Sequence, residues 1–300
     1  MDIEALGQCL SSASCLVTQG MTGMIAGLLL FLVASGLTLI FGVLGFVNFV
    51  HGSFYMIGAY FAYSAFQATD SYVAAVVAGT LGVGLLAVVF ERFFATRVYD
   101  KDHMLQILLC YAFILIFDDL VEVIWGNDFI SMGVPQQFVR DPYIILGGVI
   151  PPLYVYLIGI SLLFALALSL LMWKTKLGKT IRAAAQNRDM VSALGINTTL
   201  LFTLVFALGA ILAGASGALA APVRSLTPGM GFDILIESFI VTVIGGMGSI
   251  VGGLVASLLI GMVRSFGGIG FPLFTEGLIF MMTATVLLLR PNGLFARRAD

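Results

Sequence analysis

Apolar runs long enough to cross a bilayer follow one another along almost the whole chain, and that succession limits the fold more than any other feature. A hydrocarbon core of ~30 Å takes ~20 residues of helix. Residues 21–41, 43–66, 72–94, 105–125, 153–173, 201–222 and 272–289 are the candidates. Charged side chains make up only 10% of the 300 residues against 60% hydrophobic ones, too few to cover a water-exposed surface. The runs are unbroken rather than alternating, which argues against a transmembrane barrel. The expected fold is an all-α integral membrane protein: one domain, 1–300, forming a polytopic bundle of about eight spans.

Two interruptions stand out. The run 43–66 follows the first span with no hydrophilic loop and contains Asn48, His51 and Gly52. This predicts a break in or near the membrane, with Asn48 and His51 spaced to share one helical face. A polar pair in hydrocarbon is costly and must face a cavity or hydrogen-bond within the bundle. Further on, 233–244 is about half a span, Gly245, Gly246 and Gly248 interrupt it, and 250–263 makes a second short helix. Broken half-helices of this kind mark substrate paths, because their freed backbone groups need protein or a cavity around them. Asn48, His51, Gly52, Glu237, Gly245, Gly246 and Gly248 are therefore the candidate path or gate residues. For Glu237 three situations are open: contact with a solute's cationic or amide group, pairing with Arg224 or Arg264, or a place at the external interface. The nearness of Asp233 favours the last.

The connector 174–200 is the longest stretch unlike a membrane span and holds five of the fourteen basic residues. Ile181, Ala184, Ala185, Val191 and Leu194 form one apolar stripe at helical spacing, with Arg182, Gln186, Arg188 and Asp189 outside it. Gly195 ends the helix, and Asn197 with Thr198 starts the next. An amphipathic helix at the mouth of the bundle and a plain basic connector both fit. With this loop inside, eleven basic residues fall on the cytoplasmic side (Arg92, Arg97, Lys101, five in the connector, Arg290, Arg297 and Arg298). Arg140, Arg224 and Arg264 fall outside. The amino terminus is then external, the carboxyl terminus internal, and the Gly- and Pro-containing segment 126–150 extracytoplasmic, with room for a small hairpin.

Other chemistry is thin. The first twenty residues carry Asp2 and Glu4 and no base, so the first apolar run reads as a retained helix rather than a secretory signal. Cys9, Cys15 and Cys110 have no metal or redox spacing, though Cys9 and Cys15 could pair outside the cell. Gly178, Lys179 and Thr180 resemble the end of a phosphate-binding loop, but Trp173 stands where the first glycine is required, so no ATP binds by that route. A net charge of −2 without basic clusters gives no sign of nucleic acid. Asp118, Asp119 and Glu122 read as solvent-facing. Gly209, Ala213, Gly217 and Ala221, like Gly253, Ser257 and Gly261, recur every four residues and predict close helix packing.

Taken together, GVLGFVNFVHGSFYMIGAY from Gly42, ERFFATRVYDKD from Glu91, LGKTIRAAAQNRDMVSALGIN from Leu177, GFDILIESFIVTVIGGMGSIVGGLVASLLIG from Gly231 and RPNGLF from Arg290 resemble the shorter permease type of the branched-chain amino-acid ABC importers. The resemblance covers nearly the whole chain. It implies an inner-membrane permease that binds no cofactor itself. Its partners would be a second permease, expected to be a paralogue, two cytosolic ATP-hydrolysing subunits, and a periplasmic or lipid-anchored solute-binding protein. It also implies that Arg182, Ala184, Ala185, Gln186, Asn187, Asp189, Leu194 and Gly195 belong to a coupling helix docked on an ATPase. Two departures bear on this. Relatives specific for amino acids commonly have an acidic pair where this chain has Gln186 and Asn187, and often a lysine where Glu237 stands. The second leaves urea, short amides and aromatic acids open as solutes. An ion-coupled secondary transporter is the rival from another class, and would need a buried ionisable relay.

Overall fold

The computed structural model describes residues 3–246, 248–291 and 293–295. Twelve α-helices lie among them: α1 Ile3–Ser11, α2 Ala13–Leu44, α3 His51–Thr69, α4 Tyr72–Phe93, α5 His103–Trp125, α6 Pro152–Lys174, α7 Lys176–Gln186, α8 Arg188–Ala193, α9 Thr198–Ala220, α10 Met230–Gly245, α11 Ile250–Gly270 and α12 Thr275–Leu289. Side-chain caps set several of their starts. Ser71, Thr175, Asn187, Asn197 and Ser249 each accept a hydrogen bond from a backbone N–H of the first turn. Left-handed residues Gly45 and Asp70 end α2 and α3.

Six helices are long and apolar enough to cross a membrane: α2, α4 with its 3₁₀ extension to Arg97, α6, α9, α11, and α12 with the short turn before it. Three more, α3, α5 and α10, run among them but are shorter or more polar. The chain is thus a polytopic helical membrane protein with six candidate spans among the described residues by length and hydropathy. The expected short helix 250–263 is in fact the full-length α11, and the first span begins eight residues earlier than its hydropathy suggests.

Burial sorts the helices into layers. The middle of α2, nearly all of α9 and the first half of α3 are buried. Helices α4, α5, α6 and α12 present rows of exposed Leu, Ile, Val and Phe, as helices do that face lipid or neighbouring subunits. Glycines let the central helices touch: a Cβ on Gly58 would strike the backbone of Gly214, and one on Gly261 the backbone of Gly23 and Gly27. The predicted seam on α11 is only partly used, since a Cβ on Gly253 would meet nothing.

Connections segregate to two ends. At one end Cys9 and Cys15 form a disulfide between α1 and α2, and Ser265 donates to the Gln19 carbonyl at 2.8 Å. There Ile130 bridges Leu226, and the expected hairpin is present as β1 Tyr143–Ile145 paired antiparallel with β2 Gly148–Ile150. At the other end Arg188 reaches Asp100 at 3.3 Å, Tyr99 packs edge-on against Phe202, and Leu294 donates to the Ile244 carbonyl at 2.8 Å. Buried Glu91 is satisfied at this end by the hydroxyls of Thr203 (2.7 Å) and Tyr99 (3.2 Å), which tie α4 to α9 and to the connector before α5. Of the eleven basic residues expected on one side, nine fall at this end, while Arg297 and Arg298 lie outside the described residues.

Candidate functional site

The first break is not a loop at the surface. After Leu44 the chain runs six residues without helical structure and returns into the bundle, so that α3 starts with His51 against the middle of α2. There His51 Nε2 bonds the Val33 carbonyl at 3.0 Å. Asn48 therefore does not share a helical face with His51: it sits in the non-helical stretch, because Gly45 takes a left-handed conformation that stops α2. Both residues are wholly buried. Neither atom of the Asn48 amide, nor His51 Nδ1, finds a partner among the described residues. Non-helical backbone at this depth survives only where protein or a cavity encloses it, and α5 supplies part of that cover through Cys110, 3.9 Å from the Val47 carbonyl. Gly52 packs on Gly231 at the start of α10, and neither has room for a Cβ.

The second break joins α10 to α11 at the opposite end of α10. Gly245 closes α10, Gly246 (φ 95°) and Gly248 (φ 87°) make the turn, and Gly252 packs on Gly245 backbone to backbone. Here the chain's last described residues return. Leu294 and Phe295 donate to the Ile244 and Gly245 carbonyls, which would otherwise be unpaired at the end of α10.

Between the breaks, polar groups line the seam of α2 and α10. Thr38 and Thr242 share a hydroxyl contact at 3.2 Å, and Thr242 also donates to Ser238 O at 2.8 Å. The seam opens at each end into a cavity. One contains Tyr55, Ser216, Arg224 and Glu237 set among Leu29, Leu30, Val33 and Ile234. Glu237 is not at a water interface as its sequence position suggests: its side chain is 12% exposed and accepts from Arg264 at 2.7 Å, and Arg264 also reaches Glu276 at 2.7 Å. The other cavity is lined by Thr38, Gly42, Met172, Ile181, Arg182, Ala185 and Gly248. This places the second break directly beside α7.

The connector 174–200 is two helices, not one. Asn187 adopts an extended conformation, ends α7 and caps α8 by accepting from Met190 N, so the expected continuous stripe is cut. Ile181, Ala184 and Val191 are buried, whereas Ala185 and Leu194 are exposed, the latter at 74%. Gln186, Asn187, Asp189, Met190 and Gly195 are exposed with them. The result is a knob with an apolar inner side and a mixed outer side in which Met190 and Leu194 stand free. Arg182 faces inward instead, bonding the Met172 carbonyl and lying over the Trp173 ring, so it fastens α7 to α6. Gly195, in the left-handed region at φ 82°, ends the knob.

Sequence spacing missed Tyr55, the Thr38–Thr242 contact and the returning segment 293–295. Nothing in their local pattern marks them, since each acquires its partner from a distant helix.

The family profile described as "Branched-chain amino acid transport system / permease component" matches residues 21–288. The chain is 28% identical to the high-affinity branched-chain amino acid transport system permease protein BraD of Pseudomonas aeruginosa, across 93% of this chain and 95% of that one. It is 26% identical to the corresponding permease protein LivH of Escherichia coli, across 89% and 91%. Its fold is similar to a chain of PsaBC from Streptococcus pneumoniae in complex with Fab, with TM-score 0.52 and 12% identity over 96% and 95% of the two chains.

Proposed function

The chain belongs to the branched-chain amino acid transport permease family, and from that membership we propose that it is the membrane subunit of an ATP-driven importer of branched-chain amino acids. It works in the bacterial inner membrane beside a second permease, two cytosolic ATPases and an extracytoplasmic solute-binding protein. ATP is hydrolysed by the partners, and this chain binds no cofactor. Basic residues gathered at the end bearing α7 and α8 support a cytoplasmic position for that end, and the Cys9–Cys15 disulfide supports an external amino terminus.

The observation that carries the mechanism is the position of α7. The outer side of the α7–α8 knob, with Gln186, Asn187, Asp189 and Leu194, is free for an ATPase, while the inner side of α7, with Ala185 at its exposed edge, closes the cavity that contains Gly248. Closure of the ATPases pushes this knob against the turn between α10 and α11. That turn is glycine-rich and can move, and it leads directly to the Thr38–Thr242 seam. Arg182 keeps α7 attached to α6, so the push also reaches the span before it.

ATP-dependent leucine uptake into vesicles holding the full complex tests this, with Ala185→Glu beside wild type. Ala185 is exposed, so the variant folds within about 0.5 kcal/mol of wild type, yet its uptake is expected to fall at least tenfold. Uptake without the ATPases, or a fully active Ala185→Glu complex, would overturn the proposal.

A further inference from the structure

The outer cavity carries both signs of charge in an aliphatic setting. Arg224, in the turn after α9, and Glu237, on α10, line it together with Tyr55 of α3, and Leu29, Leu30 and Ile234 make up the apolar wall. A surface meant for a neutral amide has no use for two opposite charges there, and one meant for an anion would not place a carboxylate on the wall. Glu237 is already neutralised by Arg264, which is held from its other side by Glu276. Among the described residues Arg224 forms no ion pair, so the cavity retains a cation ready for a carboxylate and a carboxylate whose present partner is itself doubly paired. The cavity is narrow in this state, with room for about one water-sized molecule, so a solute must part its walls to pass.

We infer that Arg224 and Glu237 form a transit site for zwitterionic α-amino acids with aliphatic side chains. The solute carboxylate binds the Arg224 guanidinium. Its ammonium replaces Arg264 on Glu237, leaving Arg264 on Glu276, and its side chain lies along Leu29, Leu30 and Ile234. Exchange of one ion pair for another keeps Glu237 and Arg264 partnered throughout and gives the exposed Arg224 a partner, which an anion or a neutral amide cannot do. The inference rests on the importer reading and gives that reading a residue-level selectivity.

The test uses the complete complex in vesicles, with leucine-loaded binding protein outside, reading leucine uptake and binding-protein-stimulated ATP hydrolysis together. Arg224→Gln and Glu237→Gln are each expected to lower uptake at least tenfold while stimulated hydrolysis stays within twofold, and Arg224→Lys to restore part of the uptake. Asp233→Asn removes a carboxylate one turn before Glu237 that is exposed and does not line the cavity, and is expected to change uptake less than twofold. Unchanged uptake in both cavity variants would overturn the inference, as would an Asp233→Asn loss equal to that of Glu237→Gln, which would make the effect one of overall charge at that end of α10. A fall in hydrolysis in step with uptake would also overturn it. Failure of the wild-type complex to take up leucine at all, with uptake of urea or an aromatic acid instead, would remove the solute reading itself and is distinguishable from these outcomes.

Discussion

The break at 45–50 is enclosed by the bundle, whereas the break at 246–249 lies at its end against α7 and the returning segment 293–295. Both interrupt helices with left-handed glycines, yet their surroundings give them opposite properties. Around the first, His51 is pinned to Val33, Gly52 is locked on Gly231, and Phe54 packs edge-on between Phe90 and Phe206. Around the second, a Cβ on Gly248 would meet nothing and cavities border it, although Gly245 packs on Gly252 and Gly293 on Gly246. A break pinned by its neighbours through His51, Gly52 and Phe54 fixes the relative positions of helices even though cavities border Gly45, Val47 and Phe49 on its other side; a glycine turn with room beside it lets them move. On the proposed importer reading, the first is the frame of the path and the second its movable part.

Putting the same small change into both glycines breaks that contrast if it is wrong. Gly52→Ala forces a methyl into the Gly231 backbone with no flexible side chain to give way, and is expected to cost about 3 kcal/mol, read as loss of monodisperse protein in detergent or a sharply lowered Tm. Gly248→Ala meets no neighbour but holds a left-handed conformation, which costs an alanine about 1 to 2 kcal/mol. It is expected to leave a folded protein whose uptake falls severalfold. Equal Tm losses in the two variants would end the distinction between frame and moving part. A smaller effect sharpens it: Asn48→Leu removes an unpartnered buried amide and is expected to raise stability by about 1 kcal/mol, while lowering uptake. Unchanged uptake would take Asn48 out of the path and leave it a packing residue.

The sequence announced both breaks, because glycine and polar residues inside apolar runs have few other uses. It misjudged their extent for a physical reason in each case. Asn48 and His51 are three apart, which on a continuous helix puts them on one face, but the left-handed Gly45 ends the helix first. The stripe from Ile181 to Leu194 has sound helical spacing, and Asn187 cuts it because its side chain satisfies the next helix's free N–H groups better than it sustains the previous helix. For Glu237 the sequence offered Arg264 as one possible partner, but the nearness of Asp233 favoured the interface: Arg264 is twenty-seven positions away and is brought to it only by the turn at Gly246 and Gly248.

What the sequence determined by itself is the class of molecule: in lipid the backbone must bond to itself, so long apolar runs can only be helices. The same holds for the family, carried by motifs spread along the chain. Only the tertiary structure decided which polar groups meet. The Thr38–Thr242 contact, the charged cavity and the packing of α7 beneath the second break all join residues far apart in the chain. Helical periodicity says which face a residue occupies but not which helix lies opposite.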